Sequence, residues 1–397
     1  MARLGDIFNL QMGKTPARAN AEYWINGENA WVSIADLSGY DKYVGETKEQ
    51  ITDLAVQESG IKLVPADTVI MSFKLSLGKT AITKDPAYTN EAIMAFLPSG
   101  KYDVCTDYFF HLFSGRDWSK GTNRAVMGAT LNKATLSNLE IDVPPLEEQR
   151  RIAALLDKVS DLIAKRQEQL DKLDLLVKAR FVEMFGDQYT NPKGWETGTI
   201  RDVVSEVKYG TSRPAVEGGT YKYLRMGNIT FDGHLDLNDL KYIDIPESEI
   251  EKCMVKKGDV LFNRTNSKEL VGKTCVFDLD EPMVIAGYII RVRVNERVLP
   301  DYLSAVLNSQ YGKQTLADMC KAIVGQANIN AQELQNIAIL IPPVELQHQF
   351  SQYIVQVNRL VSNITRSLEK VETLKKALMQ QYFGGQHPSA PCGGTSP

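Results

Sequence analysis

Val143-Pro144-Pro145 opens the stretch LEEQRRIAALLDKVSDLIAKRQEQLDKLDLLVKARFVEMFG, which runs unbroken from Leu146 to Gly186. The same design returns at Ile341-Pro342-Pro343 and runs on to Tyr382-Phe383-Gly384-Gly385, so Pro144 and Pro342 lie 198 residues apart, about half the chain. Solenoid repeats have periods of about 20 to 50 residues; a period this long marks a duplicated pair of domains.

In the first copy Ile152, Leu156, Val159, Ile163, Arg166, Leu170, Leu173 and Val177 follow steps of four and three, and the seam continues to Phe181 and Met184. In the second, Phe350, Ile354, Val357, Val361, Ile364, Leu368, Val371 and Leu378 keep it, with Lys375 and Tyr382 in the last turns. A seven-residue repeat held this long predicts a coiled-coil stripe that needs a partner helix. At 1.5 Å per residue each helix is about 60 Å long, and the other copy is the obvious partner. Proline restrains the residue before it to extended backbone and suits the first helical turn, so each Pro-Pro step marks a sharp domain-to-helix junction. Glu147 and Glu148 complement the helix start, and Gly186 and Gly384-Gly385 suit the ends.

Outward from the helices, the remaining segments also match. Leu4-Gly5-Asp6-Ile7 is echoed by Ile200-Arg201-Asp202-Val203, and WVSIADL (31–37) by YLRMGNI (223–229). Val64 to Ile70 matches Val255 to Leu261; Leu77-Gly78-Lys79-Thr80-Ala81 matches Val271-Gly272-Lys273-Thr274-Cys275; LNKATLSNLEIDVPP (131–145) matches INAQELQNIAILIPP (329–343). Short β-prone runs between Gly, Pro and Asp predict two mixed α/β (α+β) globular domains of one fold. The expected layout is domain 1 at 1–143, helix 1 at 144–186, domain 2 at 187–341, helix 2 at 342–385 and a disordered tail at 386–397.

The 397 residues are 43% hydrophobic and 24% charged, ordinary for soluble protein. Five cysteines, none in CxxC spacing, fit neither a disulfide framework nor a structural zinc site, and suit a reducing cytoplasm. The N-terminus lacks the pattern of a signal peptide, and no apolar run approaches the roughly 18 residues of a membrane span. A net charge of −4 gives no hint of a nucleic-acid partner. Local basic clusters at 116–133 and 252–275 leave that partner open.

Catalytic motifs are not found. Gly78-Lys79-Thr80 and Gly272-Lys273-Thr274 imitate the end of a P-loop, but Phe73 and Ser267 stand where its first glycine is needed. The four histidines are dispersed, and no metal or triad pattern emerges. On these residues alone a catalytically silent scaffold, with a coiled coil separating two ligand-binding modules, stays open beside a DNA reader and an NTPase, against which the missing glycines argue.

PPLEEQRRIAALLDKVSDLI (144–163), KARFVEMFGD (178–187), KKALMQQYFG (375–384) and GDVLFNRTNSKELVGKTCVF (258–277) resemble the specificity subunits of type I restriction-modification systems, over essentially residues 3 to 385. The resemblance implies two target-recognition domains joined by an antiparallel two-helix spacer, each reading one half of a bipartite, non-palindromic site in double-stranded DNA. It also implies two DNA-methyltransferase subunits docked on the helices, and restriction/translocase subunits beyond them. S-adenosylmethionine, ATP and Mg would belong to those partners, with no cofactor in this chain and no membrane; the setting would be a bacterial or archaeal cytoplasm. Expected DNA contacts are Lys14, Arg18, Lys74, Ser76, Lys79, Lys120, Asn123 and Arg124 in the first domain. In the second they are Lys208, Tyr209, Arg213, Arg225, Arg264, Thr265, Asn266, Lys268 and Lys273. Expected spacer and partner contacts are Pro144, Pro145, Glu148, Gln149, Pro342, Pro343 and Gln347. The second copy departs from the first where Glu148 becomes Leu346 and Ile152 becomes Phe350, while Gln149 is kept as Gln347.

Overall fold

A computed structural model describes residues 1–74, 76–118, 131–267, 270–320 and 327–384. The chain forms two compact units, one of Met1–Lys165 with Ser367–Pro397 and the other of Arg166–Arg366. Two 40-residue helices, Leu146–Phe185 and Val344–Phe383, each begin in one unit and end in the other. Among the described residues no helix is long and apolar enough to cross a membrane.

In unit 1 four antiparallel strands lie in the order Phe8–Met12, Ile93–Pro98, Val69–Ser72, Thr80–Ile82. Successive side chains of a strand point to opposite faces, and here both faces are covered. Val69, Met71, Met94 and Phe96 enter one core with Phe8, Phe109 and Phe113, while Ile70, Ala81, Ile93 and Ala95 enter another with Val32 and Leu37. The run VIMS is therefore buried throughout instead of alternating. A smaller sheet sets Glu49–Ile51 antiparallel to Asn29–Val32, which pairs parallel with Tyr88–Thr89 through Trp31 and Tyr88.

Unit 2 repeats this plan. Its main sheet runs Val204–Tyr209, Ile289–Val294, Val260–Asn263, Thr274–Val276, again antiparallel throughout. Val260, Phe262, Ile290 and Val292 face one core, and Leu261, Cys275 and Ile289 the other. The second sheet again has a parallel pair, Tyr223 beside Val284, with Lys241–Ile243 and Met254–Val255 outside it. The sequence echoes fall at equivalent turns. Asp36 accepts from the Ser33 N–H at 3.0 Å and Asn228 from the Arg225 N–H at 2.8 Å, each closing a short helical turn after a strand.

In each unit a two-stranded clasp leads into the proline step: Ala2–Arg3 pairs with Glu140–Ile141, and Glu196–Thr199 with Ala338–Ile341. The helices then start at Leu146 and Val344, directly after the second proline. The first ends where Gly186, at φ 80°, donates to Val182 O at 2.8 Å, the left-handed cap that glycine adopts most easily. The predicted seam is the covered side of both helices. Ile152, Leu156 and Val159 are buried in unit 1 and Phe181, Met184, Phe350 and Val357 in unit 2, while Ile163, Leu173, Val177, Ile354, Val361 and Leu378 are half-buried.

Each globular domain is held by the start of one helix and the end of the other. In unit 1, Ile152 and Leu156 share a core with Phe383, whose ring meets Tyr108 edge-on at 5.4 Å. In unit 2, Phe350 shares a core with Phe181 and Phe185, and Phe185 meets Tyr302 edge-on at 4.8 Å. Phe185 and Phe383 are related by the same 198-residue offset as the proline steps. Within each unit the two helix segments run antiparallel.

Candidate nucleic-acid interface

The hairpin loops that follow Val69–Ser72 and Val260–Asn263 carry eight of the seventeen sequence candidates. Both close on a glycine at positive φ, 80° at Gly78 and 77° at Gly272. A Cβ at Gly78 would lie 2.4 Å from Trp118, and one at Gly272 would lie 2.5 Å from Leu316, so conformation and space both demand glycine. Thr80 Oγ1 donates to Gly78 O at 3.0 Å, and Thr274 Oγ1 to Gly272 O at 3.1 Å. The Gly-Lys-Thr motifs are thus tight turns leading into strands.

Their lysines part company. Lys79 is exposed, whereas Lys273 is buried and donates from Nζ to Met226 O at 2.8 Å, with burial pulling its pKa down. Lys273 braces the turn at 226–228 from inside the domain, which corrects its expected place on the DNA-facing surface. A lysine that ends in a carbonyl within the fold offers no charge to a phosphate.

The arginine candidates also separate by partner. Arg18 is paired with Glu49 and lies over the Trp24 and Trp31 rings, 3.8 and 4.8 Å from their centroids. Arg213 is bound to Glu249 and Arg225 to Asp239, at 2.8 and 2.6 Å. The hydrogen bonds that Arg18 and Arg213 donate to Glu49 and Glu249 hold the two arginine pKa values above their ordinary range. Arg264 has no ion pair among the described residues; it lies over the Tyr209 ring at 4.9 Å and reaches Gly287 O at 3.4 Å.

Lys14 donates from Nζ to Ser59 O, Lys74 lies 5.2 Å from the Phe73 ring centroid, and Ser76 and Lys208 are exposed. Thr265 and Asn266 form a short strand against Ala327–Asn328, with Thr265 Oγ1 donating to Asn328 Oδ1 at 2.9 Å. Lys120, Asn123, Arg124 and Lys268 lie outside the described residues. No group of three or more His, Cys, Asp or Glu that could hold a metal ion occurs among the described residues.

The family model described as the type I restriction modification DNA specificity domain matches residues 1–173 and again 192–373, one match for each repeat. The chain belongs to that specificity family. It is 25% identical to the type I restriction enzyme MjaIX specificity subunit of Methanocaldococcus jannaschii over 97% of this chain and 92% of that one. Two solved structures share the fold. One belongs to a type I R-M system, with TM-score 0.58 and 20% identity, covering 97% of both chains. The other is the type I restriction-modification S subunit from M. genitalium, with TM-score 0.56 and 12% identity, covering 98% of this chain and 96% of that one.

In this specificity chain the helix-start residues are fastened to the globular domains. Gln149 and Gln347 are fully buried. Gln149 accepts from the Cys105 N–H at 2.9 Å and donates to Asp103 O and Pro144 O; Gln347 accepts from the Leu299 N–H at 2.8 Å and donates to Arg297 O and Pro342 O. This corrects the expectation that the two glutamines face a partner subunit, since their polar groups are already matched inside the fold. Glu148 stays at the surface, paired with Arg151 at 2.6 Å, and Pro145 and Pro343 remain exposed beside half-buried Pro144 and buried Pro342. A second fastening escapes sequence reading: Lys42 bridges Asp107 at 2.7 Å and Asp157 at 2.6 Å, and His111 Nε2 meets Asp157 at 2.8 Å. Those four residues span 115 positions, and no local pattern connects them.

Proposed function

We propose that the chain is the DNA-reading subunit of a type I restriction-modification complex, each globular domain reading one half of a bipartite, non-palindromic duplex site. One observation carries the reading: the specificity family matches both halves of a chain whose two units repeat one sheet order while carrying different side chains at their hairpin loops. A shared scaffold with different readers suits two unlike half-sites, because base edges are read by individual side chains while the framework only positions them.

The long helices join the readers and serve as spacer and docking surface for two methyltransferase subunits, with restriction/translocase subunits completing the assembly. In support, apolar side chains lie outside the seam in the open: Leu175, Leu176, Val182, Val355 and Leu360 in unit 2 and Leu162 and Leu374 in unit 1. A helix pair needs only its seam to be apolar, so apolar side chains exposed beyond it suit a further partner. The chain itself is read as non-catalytic, supplying the address for chemistry done by its partners with S-adenosylmethionine, ATP and Mg. Cys105, Cys253 and Cys275 are free thiols, which suits work in a reducing cytoplasm.

The test is to co-express the chain with its cognate methyltransferase subunit and map methylated bases across the host genome. One bipartite motif is the expected result. Methylation without sequence preference, or duplex binding with no steep dependence on salt, would favour a plain scaffold.

A further inference from the structure

In unit 2 the strand Val260–Asn263 runs directly into Arg264, and the backbone there is fixed from both sides. The Arg264 N–H donates to Tyr288 O and its carbonyl accepts from the Ile329 N–H, both at 2.9 Å. Its guanidinium lies over Tyr209, whose hydroxyl accepts from the Ala331 N–H at 2.7 Å and so cannot swing away freely. Yet the guanidinium's own donors are scarcely used. Among the described residues the buried Nε has no hydrogen-bond partner, and Nη1 makes one long contact with Gly287 O. A planar cation with rigid support, unused N–H groups and no carboxylate partner among the described residues is poised to meet an acceptor from outside the chain.

Unit 1 has the same clamp with a different side chain. The Phe73 N–H donates to Ala92 O at 3.0 Å and its carbonyl accepts from the Leu131 N–H at 3.2 Å, so Phe73 occupies the position of Arg264. Gly13 and Gly210 make matching bonds to Ile93 O and Ile289 O, which sets Met12 where unit 2 has Tyr209. Phe73 is buried and offers no donor. The arginine-on-tyrosine pair therefore belongs to one unit alone, at a position the shared scaffold holds rigid in both.

We propose that Arg264 is a specificity-determining residue that reads a guanine in the half-site of the second domain, and that Tyr209 is its positioning residue rather than a DNA contact. Arginine pairs with guanine because its fork of N–H groups matches the O6 and N7 acceptors in the major groove, a pattern that adenine, with a donor at N6, does not offer. The ring of Tyr209 holds the plane of the guanidinium by stacking. This inference rests on the DNA-reading role proposed above.

The experiment uses the full chain co-expressed with its methyltransferase subunit and compares methylated motifs for wild type, Arg264→Ala, Arg264→Gln, Tyr209→Phe and Tyr209→Leu. The wild-type motif is expected to require a G·C pair in the second half-site. Both Arg264 variants should lose about ten- to a hundredfold of discrimination at that pair alone, leaving the first half-site intact as the control for folding and assembly. Tyr209→Phe keeps the ring and should keep the motif, whereas Tyr209→Leu should relax the same pair. An unchanged motif in either Arg264 variant, relaxation at an A·T pair, or loss of all methylation by both overturns the guanine assignment. An unchanged motif in Tyr209→Leu, or equal relaxation by Tyr209→Phe, overturns the positioning role. A wild-type complex with no motif at all would instead overturn the DNA-reading role, before any variant is compared.

Discussion

Gln149 and Gln347, 198 residues apart, are both fully buried and make the same three hydrogen bonds: one accepted from a backbone N–H of the globular domain, one donated to a carbonyl there and one to the carbonyl of the first proline. Each amide locks the angle at which its domain meets its helix. Truncating either glutamine strands buried backbone groups, at about 1–3 kcal/mol for each one left unmet. Gln149→Ala and Gln347→Ala should each lower the midpoint of denaturant unfolding. Gln149→Glu should be worse at neutral pH, since a carboxylate would face two carbonyl oxygens, and should recover in acid.

Phe350 anchors the second helix start by meeting the Phe181 and Phe185 rings at 5.7 and 5.3 Å, and it is fully buried. Phe350→Ala should cost about 3–5 kcal/mol, as a large cavity in a packed core does. The equivalent Ile152 is smaller, and Ile152→Val should cost only about 0.5–1.5 kcal/mol. Equilibrium unfolding of the two variants checks the difference.

These anchors show what one sequence can and cannot disclose. The duplication, the helices and their seam were legible because heptad spacing and proline steps are local patterns that tertiary packing then obeys. The matched segments at Ser33 and Arg225, or at Gly78 and Gly272, pointed correctly to equivalent turns. The fate of single cations was not legible. Arg18, Arg213 and Arg225 are neutralised by Glu49, Glu249 and Asp239, carboxylates brought close only by the tertiary fold, and Lys273 is turned inward by the strand that follows it. Keeping glutamine at 149 and 347 was visible too, but whether it faced a partner or the fold depended on burial.

His234 carries a pH dependence. Its Nε2 lies 3.3 Å from Asp174 Oδ1, and that hydrogen bond, opposed by burial, raises the histidine pKa above its ordinary 6.5. A raised folded-state pKa means that the pair's stabilisation is fully present below the unfolded value, about 6.5, and is lost as pH rises through the folded value. The melting temperature of wild type should therefore exceed that of His234→Gln most below about pH 6.5, and the gap should close in mild alkali. A gap that widens with pH would contradict the pairing.

The first half of the chain contains its own replacement for what the second half supplies. In unit 1 the core beside Ile152 and Leu156 is completed by Phe383, and its counterpart Phe185 ends the first helix. Residues 1–186 are therefore expected to form a symmetric dimer in which each copy's Phe185 fills the place of Phe383 on the other. Sedimentation equilibrium of that fragment should give twice the monomer mass, and Phe185→Ala should shift it toward monomer.

The central claim is that each globular domain reads its own half-site on a common scaffold. It is tested most directly by replacing residues 187–341 with the corresponding segment of another specificity-family member and mapping methylation by the assembled complex. One half of the bipartite motif should change to that of the donor while the other half stays as in wild type. A change in both halves, or in neither, would contradict the account.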